Sequence, residues 1–444
     1  MRTGSLTRLL TVLAVPIFVD TLLVMMLGAA DTFMLSRYSD NSVAAVALVN
    51  QLVNLVLIIF QVISMATSIL CSQYVGARRR DKVLQVMGVS VLFNFLVGIV
   101  FSIFLYIRAE HLLEIMGIRP ELAGEGLAYM RIVGAFVFFQ AISLSAAAAL
   151  RSVDKAQFPM ITSALVNVIN IFGNYALIFG KFGMPALGVR GAAISTVVCR
   201  ALSAVLLLYF LMRKYIGKFP KGTFSPMPWS ELGKLLKVGI PSAGEQMSYS
   251  FAMVVVTYFI NMLGNDALAT RSYGQTISMF VYLFSLAFAQ GGAIVIGHLV
   301  GMKKFNAAFA LGKRVLRTSV CVTFVLSFIT ACLGHRIFSM LTDNEWIIRM
   351  GTTVMWIDIL VEVGRAVNFF GVNSLRAAGD IYYPVTIGII VCWTVAVGCS
   401  YLFGITLHGG LAPLWCAFFL DENIRGLIFI RRWKSRKWTG KRLV

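Results

Sequence analysis

Residues 41–77 read NSVAAVALVNQLVNLVLIIFQVISMATSILCSQYVGA and contain no charged side chain. Three further windows, 83–107, 156–180 and 381–420, also lack charge. A helix that crosses the hydrocarbon core of a bilayer, about 30 Å thick, needs roughly 20 predominantly apolar residues. Each of the first three windows is therefore long enough for one crossing, and the last is long enough for two, separated at His408-Gly409-Gly410. The pattern predicts a helical membrane protein, because barrel strands alternate in polarity over about ten residues.

The composition of the whole chain also indicates a membrane protein. Of its 444 residues, 59% are apolar and 13% are charged, and the mean hydropathy is +0.83. A soluble domain is about 25% charged, so soluble, secreted and disordered classes are excluded. All seven cysteines fall in apolar stretches, which favours small packed side chains over disulfides or metal ligands.

The net charge of +20 does not indicate a nucleic-acid partner. Its basic residues form short clusters between apolar runs instead of following one solvated face. Cytoplasmic loops of membrane proteins are enriched in Lys and Arg. With a cytoplasmic N-terminus, 27 Lys and Arg lie inside and 6 lie outside. We therefore expect a multi-pass protein of the inner or plasma membrane with both termini in the cytoplasm.

Apolar runs punctuated by turns and charges predict twelve transmembrane helices. The first run is too long for a signal-peptide core and has no small-residue cleavage pattern, so we expect it to be retained. The predicted helices lie near 10–36, 44–70, 86–107, 123–149, 160–180, 189–212, 234–263, 268–296, 312–335, 348–374, 383–404 and 409–430.

The chain contains an internal repeat with an offset of 225 residues. Matches at this one offset extend over about 140 residues, which indicates a duplicated six-helix unit. The matched positions are Pro16 with Pro241, Asp20 with Glu245, Thr32 with Thr257, Val75–Arg79 with Val300–Lys304, Leu150-Arg151 with Leu375-Arg376, and Pro159 with Pro384.

The repeat predicts two pseudo-symmetric lobes around a central cleft. Six is an even number, so both units enter the membrane from the same side and are related by an axis along the membrane normal. The expected lobes are residues 1–218 and 219–444, joined by a cytoplasmic loop at about 213–233, where Lys, Gly and Pro interrupt the helical pattern. Two lobes that flank a cleft are suited to alternating access.

The first lobe contains two acids within its first predicted helix, Asp20 and Asp31. Eleven residues separate them, so three helical turns place both on nearly one face. An acid at mid-bilayer costs about 2.5–3.5 kcal/mol on insertion scales, which makes it a functional candidate. The oxygen-bearing side chains expected around these acids are Asn170 and Asn174, spaced i, i+4 in the fifth helix, with Ser195 and Thr196 in the sixth.

These residue types indicate a cation-coupling site. Carboxylate, amide and hydroxyl oxygens are hard ligands that suit Na⁺, or the carboxylate carries a proton. Two alternatives stay open, namely that Asp31 only ends a helix by reaching the interface, and that the Asn and Ser side chains only join helices.

The second lobe contains a separate polar cluster. Asp358, Glu362 and Arg365 are spaced i, i+4, i+7 and form a charged stripe on an otherwise apolar helix, and Glu245 lies in the seventh helix. The stripe has two interpretations. It is either an internal salt bridge of Arg365 with Glu362 or Glu245, or a relay for protons or cations.

The chain resembles the multidrug and toxic compound extrusion (MATE) family over essentially its whole length. The stretches that carry this resemblance are ADTFM at 30–34 with VAA at 43–45, NVINIFGNYALIFG at 167–180, LGVRGAA at 187–193, GIP at 239–241 and SLRAAGD at 374–380.

The resemblance implies an antiporter, driven by Na⁺ or H⁺, that exports amphiphilic and often cationic organic compounds. The first-helix acid of the family corresponds to Asp31, and its fifth-helix ligands correspond to Asn170 and Asn174, the latter being Asp in some members. The second lobe departs from the family pattern, because Glu245 lies only four residues after Pro241 and Arg365 stands where an acid is expected. The resemblance therefore favours coupling in the first lobe.

No catalytic motif accompanies these features, so we expect a transporter that is not an enzyme. We expect no cofactor and no resident metal beyond the coupling ion, and a monomer that contacts the bilayer, a small-molecule substrate and a monovalent cation. The alternatives are a major-facilitator transporter, which also has six plus six helices, and a flippase for lipid-linked precursors.

Overall fold

The computed structural model describes residues 3–217 and 227–444, and all regular secondary structure in these ranges is helical. Sixteen α-helices, α1 to α16, follow one another in this part of the chain. Their bounds are Thr3–Ser36, Asp40–Gly76, Arg80–Ile107, Ala109–Ile115, Pro120–Ala135, Phe138–Ser152, Gln157–Phe179, Val189–Leu211, Trp229–Met262, Asn265–Gly301, Phe305–Cys332, Gly334–Leu341, Glu345–Ala377, Tyr382–Val391, Gly398–Ser400 and Leu411–Lys434.

The twelve predicted helices are confirmed within these ranges. The fourth is formed by α5 and α6, which bend by 47° relative to each other. The eleventh consists of α14 and α15 together with π-helical segments at Cys392–Val397 and Tyr401–Thr406. The short helices α4 and α12 were not predicted, because their polar and apolar residues do not form a run long enough to cross a membrane.

Eight of the described helices are long and apolar enough to cross a membrane, or nine if α5 and α6 form one bent span. The remaining long helices, α9, α13 and α16, are more polar. Each carries at least one acid well inside its length, for example Glu245, Glu362 and Asp421. These three helices therefore contain most of the buried charged side chains described in the second half of the chain, the others being Arg271 of α10 and Asp380.

Local signals in the sequence explain where several helices begin and end. The helix α7 ends at Gly180, whose φ of 67° is left-handed and is accessible to glycine without strain. The helix α13 begins after Asn344, whose side-chain oxygen accepts hydrogen bonds from the backbone N–H groups of Trp346 and Ile347.

The chain folds into two compact units, which we name by their position. The first packing unit is Val19–Gly239, and the second consists of the N-terminal stretch up to Phe18 together with Ile240–Val444. The hydrophobic core of the first lies mainly between α2, α4, α5, α6 and α8. That of the second lies mainly between α9, α10, α13 and α16.

Two helices, α1 and α9, each continue from one packing unit into the other. In the second packing unit, the start of α1 packs closely on α10, where a Cβ added to Gly291 would lie 3.1 Å from the Ala14 backbone. In the first, the start of α9 is fixed by Glu231, which accepts a hydrogen bond of 2.7 Å from the Tyr74 hydroxyl and lies 3.4 Å from Lys82 Nζ. The repeated prolines, Pro16 and Pro241, lie within three residues of the positions at which α1 and α9 pass from one packing unit to the other.

Small residues bring α13 and α16 close together in the second packing unit. A Cβ added to Gly364 would lie 2.4 Å from Asn423 Nδ2, and one added to Gly371 would lie 2.5 Å from Phe429 Cβ. In apolar surroundings, such contacts replace the hydrophobic effect as the reason for helix association. The polar side chains of α13 and α16 consequently face each other at short range.

Candidate functional site

The helices α1 and α7 run side by side in parallel and bring together the predicted first-lobe residues. Asp20 accepts a hydrogen bond from the Ser163 hydroxyl, and the Leu23 carbonyl accepts one of 2.6 Å from Asn167 Nδ2. Three turns after Asp20 along α1, Asp31 Oδ1 accepts a hydrogen bond of 2.6 Å from Asn174 Nδ2. Both acids therefore lie on the face of α1 that is turned toward α7.

The two asparagines of α7 stack on each other, and α8 completes the group. Asn174 Nδ2 also donates to Asn170 Oδ1 at 2.9 Å. Asn170 Nδ2 lies 3.4 Å from Ser195 Oγ, which in turn donates to the Asn170 carbonyl at 3.3 Å. The helices approach closely at this point, because a Cβ on Gly173 would lie 2.7 Å from Ser195 Oγ. We call Asp31, Asn170, Asn174 and Ser195 the Asp31 site.

The chemistry of the Asp31 site is that of an oxygen cage with one negative charge. Asn170, Asn174 and Ser195 are buried and Asp31 is partly buried. Asn174 Oδ1 is buried without a hydrogen-bond partner among the described residues. This amide oxygen, which lies beside the Asp31 carboxylate, therefore accepts no hydrogen bond from the described residues. An amide oxygen next to a carboxylate suits either a hard monovalent cation or a proton on Asp31.

Two residues near the Asp31 site were missed in the sequence. Tyr129 of α5 is buried and interacts with Thr196, which places this predicted residue of α8 beside Tyr129. Arg200 of α8 interacts electrostatically with both Asp31 and Tyr129, and its Nη1 atom is buried without a hydrogen-bond partner in the described chain. A charged residue inside the predicted sixth helix was the signal that could have revealed Arg200.

Asp20 has surroundings different from those of Asp31. It forms an ion pair with Arg151, in addition to its hydrogen bond with Ser163, and is 5% exposed. The second packing unit contains the corresponding pair, in which Glu245 binds Arg376. Both pairs join residues 131 positions apart, and an offset of 225 relates one to the other.

In the structure, the four residues of the predicted second-lobe cluster have different partners and do not form one group. Glu362 and Arg365 of α13 form an ion pair, as one of the two interpretations proposed. Asp358 accepts hydrogen bonds from Ser278 Oγ and Trp415 Nε1 at 2.5 and 3.0 Å. Glu245 lies apart from them because it binds Arg376.

Three charged residues of α16 extend this cluster and were also missed. Glu422 accepts a hydrogen bond of 3.3 Å from Arg365 Nε, and Arg425 pairs with Asp421 and Glu422. The sequence indicated these residues, because two acids and one Arg lie inside the last predicted helix, where charge is costly.

Most of the chain matches the sequence model of a known protein family. The sequence model of the MatE family matches residues 16–176 and 241–402. An uncharacterized transporter, YisQ, of Bacillus subtilis is 38% identical over 96% of this chain and 94% of its own length. The probable multidrug resistance protein NorM of Thermotoga maritima is 25% identical, with 96% and 92% covered, and the multidrug resistance protein MdtK of Edwardsiella ictaluri is 24% identical, with 97% and 96% covered.

Solved structures show the same fold. A crystal structure of MATE in a bent conformation superposes with a TM-score of 0.90 at 18% identity, covering 97% of this chain and 95% of the other. An outward-facing conformation of a multidrug resistance MATE family transporter also gives 0.90 at 18% identity, with 97% and 96% covered. The predicted fold class, an all-α membrane protein with six plus six helices, is thereby confirmed.

Proposed function

We propose that this chain, which belongs to the MatE family, is a cation-coupled antiporter that exports amphiphilic, often cationic organic compounds or metabolites from the cytoplasm. It is a membrane transporter and not an enzyme. The observation that carries the proposal is the Asp31 site, a carboxylate beside an unpartnered amide oxygen in the membrane. The names of the NorM and MdtK relatives as multidrug resistance proteins support an organic substrate.

The coupling ion in this proposal is Na⁺ or H⁺, bound at Asp31. Entry of one monovalent cation across 100 mV releases about 2.3 kcal/mol, in addition to its concentration gradient. That free energy drives export only if ion and substrate compete, or bias the lobes toward opposite conformations. A cation held by Asp31 and Asn174 neutralises the carboxylate, and a proton on Asp31 does the same.

The membrane arrangement is part of the same proposal. Residues 1–218 and 219–444 form two lobes that alternate in access. Both termini lie in the cytoplasm, as the excess of Lys and Arg in the inner loops indicates. The protein works as a monomer in the inner or plasma membrane and needs no cofactor.

The test is transport by purified protein in vesicles. We expect Asp31→Asn to insert and fold but to lose efflux of a fluorescent cationic amphiphile when a Na⁺ or a pH gradient is imposed. The control is Asp40→Asn, the same substitution at an exposed acid that begins α2. We expect the control to transport like the wild type. Normal gradient-driven efflux by Asp31→Asn would exclude Asp31 as the coupling group.

A binding measurement distinguishes the two ions. If Na⁺ binds at Asp31, NaCl in place of choline chloride at constant ionic strength raises the thermal stability of the wild type but not of Asp31→Asn. If the ion is H⁺, Na⁺ changes neither protein and a pH gradient alone drives efflux. Efflux that responds to neither gradient contradicts the antiport proposal.

A further inference from the structure

An open pocket of about 580 Å³ lies on the surface of the second packing unit, where three parts of the chain meet. These parts are the loop between α10 and α11, the start of α11 and the C-terminal tail that follows α16. The polar residues that line it are Lys303, Lys304, Asn306, Arg436 and Thr439, and we call it the basic pocket. Its volume lies within the range of about 300–1,000 Å³ that is usual for small-ligand sites.

The basic pocket carries three positive charges that no described carboxylate balances. Lys303, Lys304 and Arg436 line it, and no Asp or Glu is among its described lining residues. None of the three cations forms an ion pair within the described chain. Like charges held close together repel each other, so an anion bound among them lowers the electrostatic free energy. The charge distribution therefore favours an anionic ligand.

The start of α11 adds backbone donors to the same pocket. The first residues of the helix, Phe305, Asn306 and Ala307, all line it. The first N–H groups of a helix have no partner within the helix, and together they carry a partial positive charge of about +0.5. The Lys304 side chain forms no capping hydrogen bond, and the first turn of α11, which is described completely, contains no acid. These N–H groups can therefore donate to an anion that the three cations attract.

The repeat shows that this excess of positive charge is special to the second packing unit. At the offset of 225, the loop 302–304 corresponds to 77–79, and both loops contain two cations. Asn306, however, corresponds to Asp81, which places an acid in the first turn of α3. A second acid, Glu231, forms an ion pair with the start of α3. The first packing unit thus has two acids at this place, so the repeated fold does not require the uncompensated charge of the second.

The tail holds its arginine in a fixed position beside the loop. Arg436 Nη1 donates a hydrogen bond of 2.7 Å to Asn306 Oδ1, and the guanidinium group lies 4.6 Å from the ring centroid of Phe309. Trp438 is buried and stacks on Trp433 at 4.3 Å, and its Nε1 donates to the Trp433 carbonyl at 2.9 Å. A guanidinium group has five N–H donors, and the described hydrogen bond uses one of them. Arg436 therefore keeps donors for a ligand without having to reorganise.

The basic pocket lies at the membrane surface. The helices α10 and α11 are both long and apolar enough to cross the membrane, and only residues 302–304 connect them. A loop this short between two crossing helices stays at the level of the lipid headgroups. Trp438, whose ring centroid lies 6.1 Å from that of Phe305, is a residue type enriched at this interface. Clusters of Lys and Arg next to a membrane helix attract anionic lipids.

We propose that the basic pocket binds the phosphate group of an anionic phospholipid from the membrane leaflet on the side of the C-terminal tail. Lys303, Lys304 and Arg436 pair with the phosphate oxygens, and the first N–H groups of α11 donate hydrogen bonds to them. Binding is non-covalent, so the lipid stabilises the folded protein according to its occupancy. The pocket shares no residue with the Asp31 site, and its lipid is not a transported substrate.

Thermal unfolding of the purified, full-length protein in a neutral detergent tests this proposal without any transport measurement. Short-chain phosphatidylglycerol is compared with phosphatidylcholine of the same chain length and with inorganic phosphate, all at one concentration and one ionic strength. We expect phosphatidylglycerol to raise the unfolding midpoint of the wild type with a saturable dose dependence. The other two probes should shift the midpoint much less, because phosphatidylcholine has no net charge and inorganic phosphate has no acyl chains to hold it beside the pocket.

Asn306→Asp is the most informative variant, because it places the acid of the repeat in the basic pocket. An acid in the first turn favours a helix, so we expect this variant to fold like the wild type. Its carboxylate repels the phosphate group and pairs with Arg436. The dissociation constant for phosphatidylglycerol should therefore rise about tenfold or more.

Two double variants at repeat-related positions provide a matched control. Lys303→Gln with Lys304→Gln should weaken binding about 25-fold, at about fivefold for each lysine near an anionic surface. Arg78→Gln with Arg79→Gln removes the same charges from the corresponding loop of the first packing unit and should leave the binding unchanged. If the lysine variant folds poorly, Lys303→Arg with Lys304→Arg must retain the binding, because both charges are kept.

Three results would each overturn the proposal. The first is a wild-type midpoint that phosphatidylglycerol does not raise, or that phosphatidylcholine or inorganic phosphate raises equally. The second is an affinity for phosphatidylglycerol that Asn306→Asp leaves unchanged. The third is an equal loss of affinity in the lysine and the arginine double variants.

Discussion

Replacing Arg151 by Gln strands a buried carboxylate, and the structure allows the cost to be worked out. Asp20 is 5% exposed and is left with Ser163 as its remaining donor among the contacts described above. Breaking a buried ion pair by removing one partner costs about 3–5 kcal/mol. The Arg151 side chain is 27% exposed, so water replaces part of the interaction and the lower end applies. We expect a loss of about 3 kcal/mol, which is roughly a 150-fold change in the unfolding equilibrium.

The assay is the loss of monodisperse protein on heating in detergent, followed by size-exclusion chromatography. For a unit the size of Val19–Gly239, 1 kcal/mol corresponds to about 2–4 °C, so the midpoint should fall by about 6–12 °C. The double variant Arg151→Gln with Asp20→Asn removes both charges. It should recover at least half of the loss, because no bare carboxylate remains.

The control is a surface pair in the same unit. Arg131 lies 4.0 Å from Glu110, and their side chains are 49% and 71% exposed. Exposed pairs contribute little, so Arg131→Gln should leave the midpoint within error. Equal losses for Arg131→Gln and Arg151→Gln, or a double variant less stable than Arg151→Gln alone, would refute the reasoning.

Two further predictions follow from the Asp31 site and from the charge distribution. Arg200→Gln removes a positive charge that interacts with Asp31, so the coupling cation should bind about tenfold or more tightly. Titration of the purified variant with Na⁺ or H⁺ measures this, and unchanged or weaker binding contradicts it. A cysteine at Lys181 should react with an impermeant maleimide from outside intact cells, whereas one at Arg436 should react only after permeabilisation. External labelling at Arg436 would reverse the proposed orientation.

Much of the fold could be predicted because long apolar runs determine membrane helices almost independently of one another. Each run satisfies its own backbone hydrogen bonds, so its length and charge-free character are sufficient. Helix breaks were harder to predict. The bend between α5 and α6 occurs at Phe136 and Val137, two residues after Gly134, and a single glycine inside an apolar run does not by itself predict a break.

The candidate site could be predicted in part, for a related reason. Spacing along one helix correctly placed Asn170 and Asn174 on one face and turned both acids of α1 in the same direction. The partner of each acid could not be derived from spacing, because Asp20 and Arg151 are 131 positions apart and their contact depends on how the helices rotate against each other. For the same reason, the α16 residues were not recognised as partners of Arg365.

The comparison of the two halves separates the shared framework from the specialised polar groups. The ion pair of Asp20 with Arg151 recurs as Glu245 with Arg376, at the same separation and at the repeat offset. Duplication preserved this pair in both packing units, which is expected of an interaction that holds the common fold together.

Three other charges inside the helices have no charged counterpart in the other half. At the offset of 225, Asp31 corresponds to the buried Val256, and Asn170 corresponds to Val395. In the reverse direction, Glu362 corresponds to Val137 and Arg365 to Gln140. An intramembrane charge is costly and is retained where it has a use, so a charge that is present in one half and replaced by an uncharged residue in the other is not required by the fold that both halves share. Asp31 in the first half, and Glu362 with Arg365 in the second, are therefore positions at which the two halves differ in charge inside the helices.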